Sequence, residues 1–187
     1  MLSTETSIRF IFLVKNIDNS YRIKKDKENN NKAIEFKTYF LPWNSGEAYM
    51  LELANDANYF LTPQLDGCCV MINGTRQNPT VIHANYNLDD LQKEMEDMSL
   101  EEFKKQYYTQ RLYQYASFYT KLAAQLLNKN IFDSEAITSI FDPEFYLNQA
   151  NSARIFGIRK NDEWTFYYNI KSNNGFITKE LWPNFSR

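Results

Sequence analysis

Cys68, Cys69 and His83 are the only two cysteines and the only histidine of this 187-residue chain. All three fall in one stretch, LDGCCVMINGTRQNPTVIHANY, at residues 65–86. A thiol beside an imidazole is the pair used for nucleophilic acyl chemistry. The thiolate is the nucleophile, and a free cysteine titrates at about 8.5, so a neighbouring imidazole or a field of N–H dipoles must stabilise the anion. Gly67 ahead of Cys68 lets the backbone approach a substrate closely and turn N–H groups toward an oxyanion. The competing reading is core packing, because free cysteine is among the most buried residue types. Two Cys and one His cannot supply a four-ligand Cys/His zinc site from one chain. No metal and no cofactor are expected.

For the thiol and the ring to meet, the chain between them must fold back. CCVMIN and TVIHAN read as two strands, and GTRQNP between them carries Gly, Asn and Pro, so a hairpin is predicted that brings His83 across from Cys68. Consecutive strand residues face opposite sides, so Cys68 and Cys69 should diverge, one to the site and one to the core. Upstream, SIRFIFLV, AIEFKTYFL and EAYMLEL read as strands, with breaks at Pro42 and Gly46 in LPWNSGE. KKDKENNNK, residues 24–32, reads as a solvated loop. Downstream, LDDLQKEMEDM is a short helix capped by Asn87, and Ser99 with Glu102 matches a capping box. The run LEEFKKQYYTQRLYQYASFYTKLAAQLLNK has no Pro or Gly, and Leu112, Tyr115, Tyr119, Leu122, Ala123 and Leu126 recur at helical spacing. Its tyrosines, with Tyr107, Tyr108 and Tyr113, form a core or interface stripe. SEAITSIF and PEFYLNQA continue the helical region. ARIFGIRK, then EWTFYYNIK after Asn161-Asp162, then FITKELW return to strands. Strands, helices and strands predict a single α+β domain over residues 1–187, a largely antiparallel sheet or sandwich flanked by helices.

Composition narrows the function classes. Hydrophobic residues make up 43% and aromatics 16%, enough for a sizeable core. A formal net charge of -2 provides no global basic field for nucleic acid or anionic membrane. No apolar run reaches the roughly 18 residues of a membrane span. The apolar N-terminal stretch lacks a basic flank and a small-residue cleavage site, so it reads as a strand rather than a signal peptide. Two adjacent cysteines make no disulfide framework, which points to a reduced, cytosolic working compartment. NGT at residues 73–75 matches a glycosylation sequon and is read as a turn. There is no Gly-rich phosphate loop.

LDGC at residues 65–68 resembles the LSGC motif of the Burkholderia lethal factor family of glutamine deamidases. In the related cytotoxic necrotizing factor toxins the His follows the Cys by 15 residues, as His83 follows Cys68. In the lethal factor family a Thr stands six residues before the Cys, the place of Thr62 in FLTPQLDGC. LPWNSGE (41–47) resembles that family's LPW-x-x-GE, and MSLEEF (98–103) resembles the opening of a helix after the His. The likeness runs from about residue 35 to 172, and only the LPW and Thr–Cys–His parts are specific. Two departures stand out. Asp66 replaces the motif's Ser, and an ionised carboxylate beside the thiol would raise its pKa unless it points into solvent. The Cys–His loop is longer than in lethal factor.

The resemblance implies a protein-glutamine deamidase with Cys68 as nucleophile and His83 as general base. Thr62 would orient the imidazole through its hydroxyl or main chain. The Gly67 and Cys68 N–H groups would serve the oxyanion, with Leu65 and Trp43 beside the substrate, although Trp43 could equally anchor the core. It further implies a toxin or effector, a bacterial product working in the host cell cytoplasm. The substrate would be a host protein, with a translation-initiation RNA helicase as the family's best-known example. A monomer without nucleic-acid or membrane partners is expected. A transglutaminase or cysteine protease would use the same Cys–His pair, and a non-catalytic interaction module would use Cys68 as core filler.

Overall fold

The computed structural model describes residues 2–4, 8–15, 21–24, 34–85, 100–147, 149–172 and 175–184. Their strands are β1 (Leu2–Thr4), β2 (Ile8–Lys15), β3 (Tyr21–Lys24), β4 (Ile34–Phe40), β5 (Ala48–Glu52), β6 (Tyr59–Leu61), β7 (Cys69–Gly74), β8 (Pro79–Ala84), β9 (Ser139–Phe141), β10 (Ala153–Lys160), β11 (Glu163–Ser172) and β12 (Gly175–Trp182). The helices are α1 (Leu100–Asn128), between β8 and β9, and α2 (Pro143–Leu147), between β9 and β10. The helix expected at LDDLQKEMEDM, its Asn87 cap, Ser99 of the capping box and most of the KKDKENNNK loop lie outside the described residues.

Two sheets form. One is ordered β1-β5-β8-β7-β9 and the other β12-β11-β10-β6-β4-β2-β3. Only β1–β5 and β4–β6 pair in parallel. Every other pairing is antiparallel, so the fold is α+β with antiparallel-rich sheets, as the sequence predicts. The two-residue turn Asn161-Asp162 closes the β10–β11 hairpin. Both residues have positive φ, 52° and 65°, the hairpin geometry that Asn and Asp tolerate best.

Strand parity splits the core in two. Tyr49, Leu51, Val70, Ile72 and Val81 face the second sheet and pack with Phe60, Ile155, Trp164, Phe166, Tyr168 and Trp182. Ala48, Cys69, Met71, Ile82 and Ala84 face the other way, onto Tyr115, Tyr119 and Leu126 of α1. The five-stranded sheet is therefore sandwiched between α1 and the seven-stranded sheet. Of the helical stripe read from spacing, Tyr115, Tyr119 and Leu126 are buried with Leu122 and Ala123 packed beside them, whereas Tyr113 is exposed; the side chains of Leu112, Tyr107 and Tyr108 lie outside the described residues. Past the end of α1, Asn130 takes φ 55°, the left-handed cap conformation, and the N–H groups of Ile131 and Phe132 return to the Leu126 carbonyl.

SEAITSIF corrects the sequence reading. It forms a turn followed by β9, not a helix. Asp133 holds the turn by accepting the Glu135 N–H at 2.9 Å on its carboxylate. The buried Asn73 amide brackets the Asp133 backbone, donating to its carbonyl at 2.9 Å and accepting its N–H at 2.8 Å. β-Branched Ile140 then pairs with Met71 on the open edge of β7. A sheet edge offering a ladder outweighs a weak local helical preference. Asn73, the sequon residue, is occupied in this bracket and is 1% exposed.

Candidate active site

The hairpin predicted between the thiol and the ring is present: β7 and β8 pair antiparallel, with Cys69 opposite Ala84 and Val70 opposite His83. His83 also stands opposite Tyr49 on β5. Opposed residues share a face, so the imidazole enters the layer between the sheets, among Tyr49 and Val70. Cys68, one residue before β7, has the parity of Val70 and belongs to the same buried layer. Cys69 belongs to the layer under α1. The two thiols therefore diverge as expected, and both are buried. Cys68 and His83 are diagonal neighbours on one face, a relation that puts backbones about 7–8 Å apart in an antiparallel pair.

This placement puts both groups in the interior, where no substrate reaches them in the closed fold. Cys68 is 2% exposed and His83 0%. The cause is parity: the face that brings Cys68 and His83 together is the one the second sheet covers. Burial, with the Asp66 carboxylate second, pushes the Cys68 thiol up to about 12, against a smaller lowering from the Asp66 backbone N–H. Asp66 itself is exposed. Burial pushes the His83 ring down to about 4, although the carbonyls of Leu41 and Pro42 favour its charged form. In this closed arrangement both groups are neutral at pH 7.

Thr62 does not orient the ring. Its hydroxyl donates to the Pro63 carbonyl at 2.9 Å and lies 3.4 Å from both the carbonyl and the N–H of Ile155, and its own N–H donates to the Ile155 carbonyl at 3.2 Å. The pull comes from β10, which runs beside this segment and takes its polar groups. The imidazole is met instead by the LPW backbone, with the Leu41 carbonyl 3.5 Å from Nδ1, a long contact, and the Pro42 carbonyl acting on the ring as well. With the proton assigned to Nδ1 so that it donates there, Nε2 carries the bare lone pair. Nε2 is buried and finds no hydrogen-bond partner among the described residues.

LPWNSGE thus matters through its backbone. Leu41 leads the stretch, and the Glu47 carbonyl accepts the N–H of Asn85, two residues past His83. The Tyr49 hydroxyl and the Asn44 amide donate to the Glu47 carboxylate and hold it below its usual range. Trp43 is exposed, 43%, so it anchors no core. Leu65 is fully buried, and its N–H donates to the Ala153 carbonyl at 2.8 Å, leaving none for an oxyanion. Gly67 is buried at the turn into Cys68.

Two residues that sequence reasoning did not assign to the site complete its frame. The Tyr119 hydroxyl, from α1, donates to the Gly67 carbonyl at 2.7 Å and lies 3.2 Å from the Ala84 carbonyl. The Tyr146 hydroxyl, from α2, donates to the Cys68 carbonyl at 2.9 Å. Burial raises the Tyr146 phenol well above its ordinary range, with the Cys68 thiol adding to it. Tyr119 was visible only as part of a helical stripe, and Tyr146 had no spacing signal at all.

Among the described residues no group of His, Cys, Asp and Glu could hold a metal ion. No described helix is long and apolar enough to cross a membrane. A pocket of about 370 Å³ lies at the far end of the β7–β8 hairpin, lined by Asn73, Gly74, Thr80 and Asp133 among others, and neither Cys68 nor His83 borders it. No protein-family model matches the chain, and no curated protein aligns with it significantly.

Proposed function

We propose that the protein is a cysteine-dependent protein-glutamine deamidase, with Cys68 as nucleophile and His83 as general base. The observation that carries the reading is the imidazole itself. His83 shares a buried face with Cys68, its Nδ1 is turned to the Leu41 carbonyl, and its Nε2 has no hydrogen-bond partner among the described residues. A buried unpaired acceptor calls for an explanation, and a base waiting for a proton is one. In the reaction, Nε2 takes the thiol proton as Sγ attacks the glutamine side-chain carbonyl. The same proton goes to the departing amine, releasing ammonia and leaving a thioester. Water then hydrolyses the thioester to glutamate and restores the thiol. The Leu41 carbonyl takes the orienting role that the resemblance had implied for Thr62.

The closed arrangement does not itself run this chemistry. Moving a proton from a thiol at about 12 to a ring at about 4 is uphill by on the order of 10 kcal/mol before the ion pair's own attraction. Turnover therefore proceeds from an opened form in which solvent or substrate reaches both groups. The proposed substrate is a host protein, with a translation-initiation RNA helicase as the first one to test, and the setting is the host cytoplasm. The second reading, a non-catalytic interaction module with Cys68 as core filler, is favoured by the same burial.

The test is incubation of the purified protein with a host-cell lysate, followed by mass spectrometry for Gln→Glu conversion and measurement of released ammonia. Conversion that persists in Cys69→Ala and disappears in Cys68→Ser supports the deamidase. New peptide termini would indicate a protease and amine cross-links a transglutaminase. A wild-type protein that modifies nothing would leave the interaction module.

A further inference from the structure

We propose that the hollow between the end of α1 and the β7–β8 hairpin is a binding site for an organic cation, an ammonium or guanidinium carried on an aliphatic stem. The inference is independent of the deamidase reading. The hollow lies five residues along β7 from Cys68, roughly 17 Å away at strand spacing, and neither Cys68 nor His83 borders it.

The hollow exists because the helix stops before the hairpin does. Along the face that α1 covers, Cys69, Met71, Ile82 and Ala84 pack under Tyr115, Tyr119 and Leu126. The next cross-strand pair on that face is Asn73 opposite Thr80. There the helix has ended at Asn128, and Asn130, at φ 55°, turns the chain so that Ile131 and Phe132 return to the Leu126 carbonyl. The space left over is about 370 Å³, within the range of small-molecule sites. Its floor is fixed. The buried Asn73 amide holds the Asp133 backbone at both its carbonyl and its N–H, and donates to the Thr138 hydroxyl at 2.6 Å.

The lining favours positive charge. It contains one ionisable side chain, the Asp133 carboxylate, and no Lys, Arg or His. Oδ1 of Asp133 accepts the Glu135 N–H at 2.9 Å, and Oδ2 has no partner among the described residues. The Thr80 and Ser134 hydroxyls also make no hydrogen bond among the described residues. Leu127 and Asn130 bring to the wall the C-terminal end of a 29-residue helix, the negative end of its dipole. The last turn of that helix holds no basic residue to offset it, and Lys129, which follows, does not border the hollow.

The remaining wall decides what kind of cation fits. Leu127, 41% exposed, and Ile131 line the same space as the carboxylate. A bare metal ion has no use for a hydrocarbon wall, and no group of His, Cys, Asp and Glu among the described residues could hold one. An alkyl ammonium or guanidinium uses both parts, its methylenes against Leu127 and Ile131 and its N–H groups on Asp133 and the two hydroxyls. Two sources carry that chemistry, a free diamine and the side chain of a lysine or arginine on a bound protein.

The experiment is titration of the isotope-labelled full chain at constant ionic strength, followed by amide NMR. Cadaverine stands for the free diamine, and Nα-acetyl-lysine amide and Nα-acetyl-arginine amide for the side chains. Nα-acetyl-norleucine amide is the uncharged counterpart. At least one cation should give saturable shifts at Gly74, Thr80, Asp133 and Ser134, with a dissociation constant on the order of 1 mM, and the norleucine compound none. Asp133→Asn keeps an oxygen for the Glu135 N–H and removes the charge, so it should weaken binding by about threefold to tenfold. Thr80→Leu fills the hollow at unchanged charge and should weaken binding as well, which keeps the test valid if Asp133→Asn disturbs the turn. Shifts from cadaverine alone assign the site to free amines, and shifts from the capped amino acids assign it to a partner's side chains; either result upholds the proposal. No saturable shift from any cation, equal shifts from the norleucine compound, or binding unchanged in Thr80→Leu would overturn it. The titration involves no glutamine chemistry, so its failure leaves the deamidase reading where it stands, and the reverse holds too.

Discussion

His83 is the only histidine, which makes its burial measurable as a dependence of stability on pH. In the unfolded chain the ring titrates at about 6.5, and in the folded protein burial lowers it to about 4. The folded value lies below the unfolded one, so between them the unfolded chain binds the extra proton. Stability is complete above about 6.5 and falls as pH falls through that window. The loss attributable to His83 is on the order of 1 kcal/mol at pH 5.5 and rises toward about 3 kcal/mol near and below the folded value. The ring is fully buried, so no discount for solvent screening is due. Carboxylates titrate in the lower part of the same range, and the comparison with His83→Phe, neutral at every pH, removes them. Equilibrium urea unfolding at pH 7.0, 5.5 and 4.5 can be followed by the fluorescence of Trp164 and Trp182, both fully buried. Wild type should lose stability relative to the variant by the stated amounts at the two lower pH values. Parallel pH dependences for the two proteins would refute the burial of a neutral imidazole, and with it the idle base in the closed site.

Two further outcomes follow from the electrostatics and contacts around Cys68. Asp66→Asn removes the carboxylate that is the second cause of the raised thiol pKa, so the pH midpoint of Cys68 alkylation should fall while that of Cys69 stays, as read by rate against pH. Thr62→Val should cost about 1 kcal/mol in urea unfolding, the usual worth of one hydrogen bond, and should leave the pH profile of Cys68 alkylation unmoved, because the Thr62 hydroxyl serves Pro63 and Ile155 rather than His83.

Local pattern in the sequence was enough for most of the elements. Alternation with a Gly-, Asn- and Pro-bearing turn specified the β7–β8 hairpin, Asn161-Asp162 specified the β10–β11 turn, and three-and-four spacing specified the packed stripe of α1. Strand parity also determined that Cys68 and Cys69 part, because the side-chain period of a strand is a property of the backbone alone. Tertiary structure decided which face was covered. Nothing near residue 83 announces that the seven-stranded sheet lies over the imidazole, since that sheet is assembled from both ends of the chain. The same holds for the partners of the site. The Leu41 carbonyl is 42 residues from His83 in sequence and the Tyr146 hydroxyl 78 residues from Cys68. A backbone carbonyl has no residue type to recognise, and a tyrosine read singly does not reveal which distant oxygen it will satisfy. SEAITSIF became β9 for the same reason: the edge of β7 was open, and an unfilled ladder outweighed a marginal helical preference. Residue types and periods belong to the sequence, whereas burial, and the pKa values it moves, belong to the contacts that only the folded chain makes.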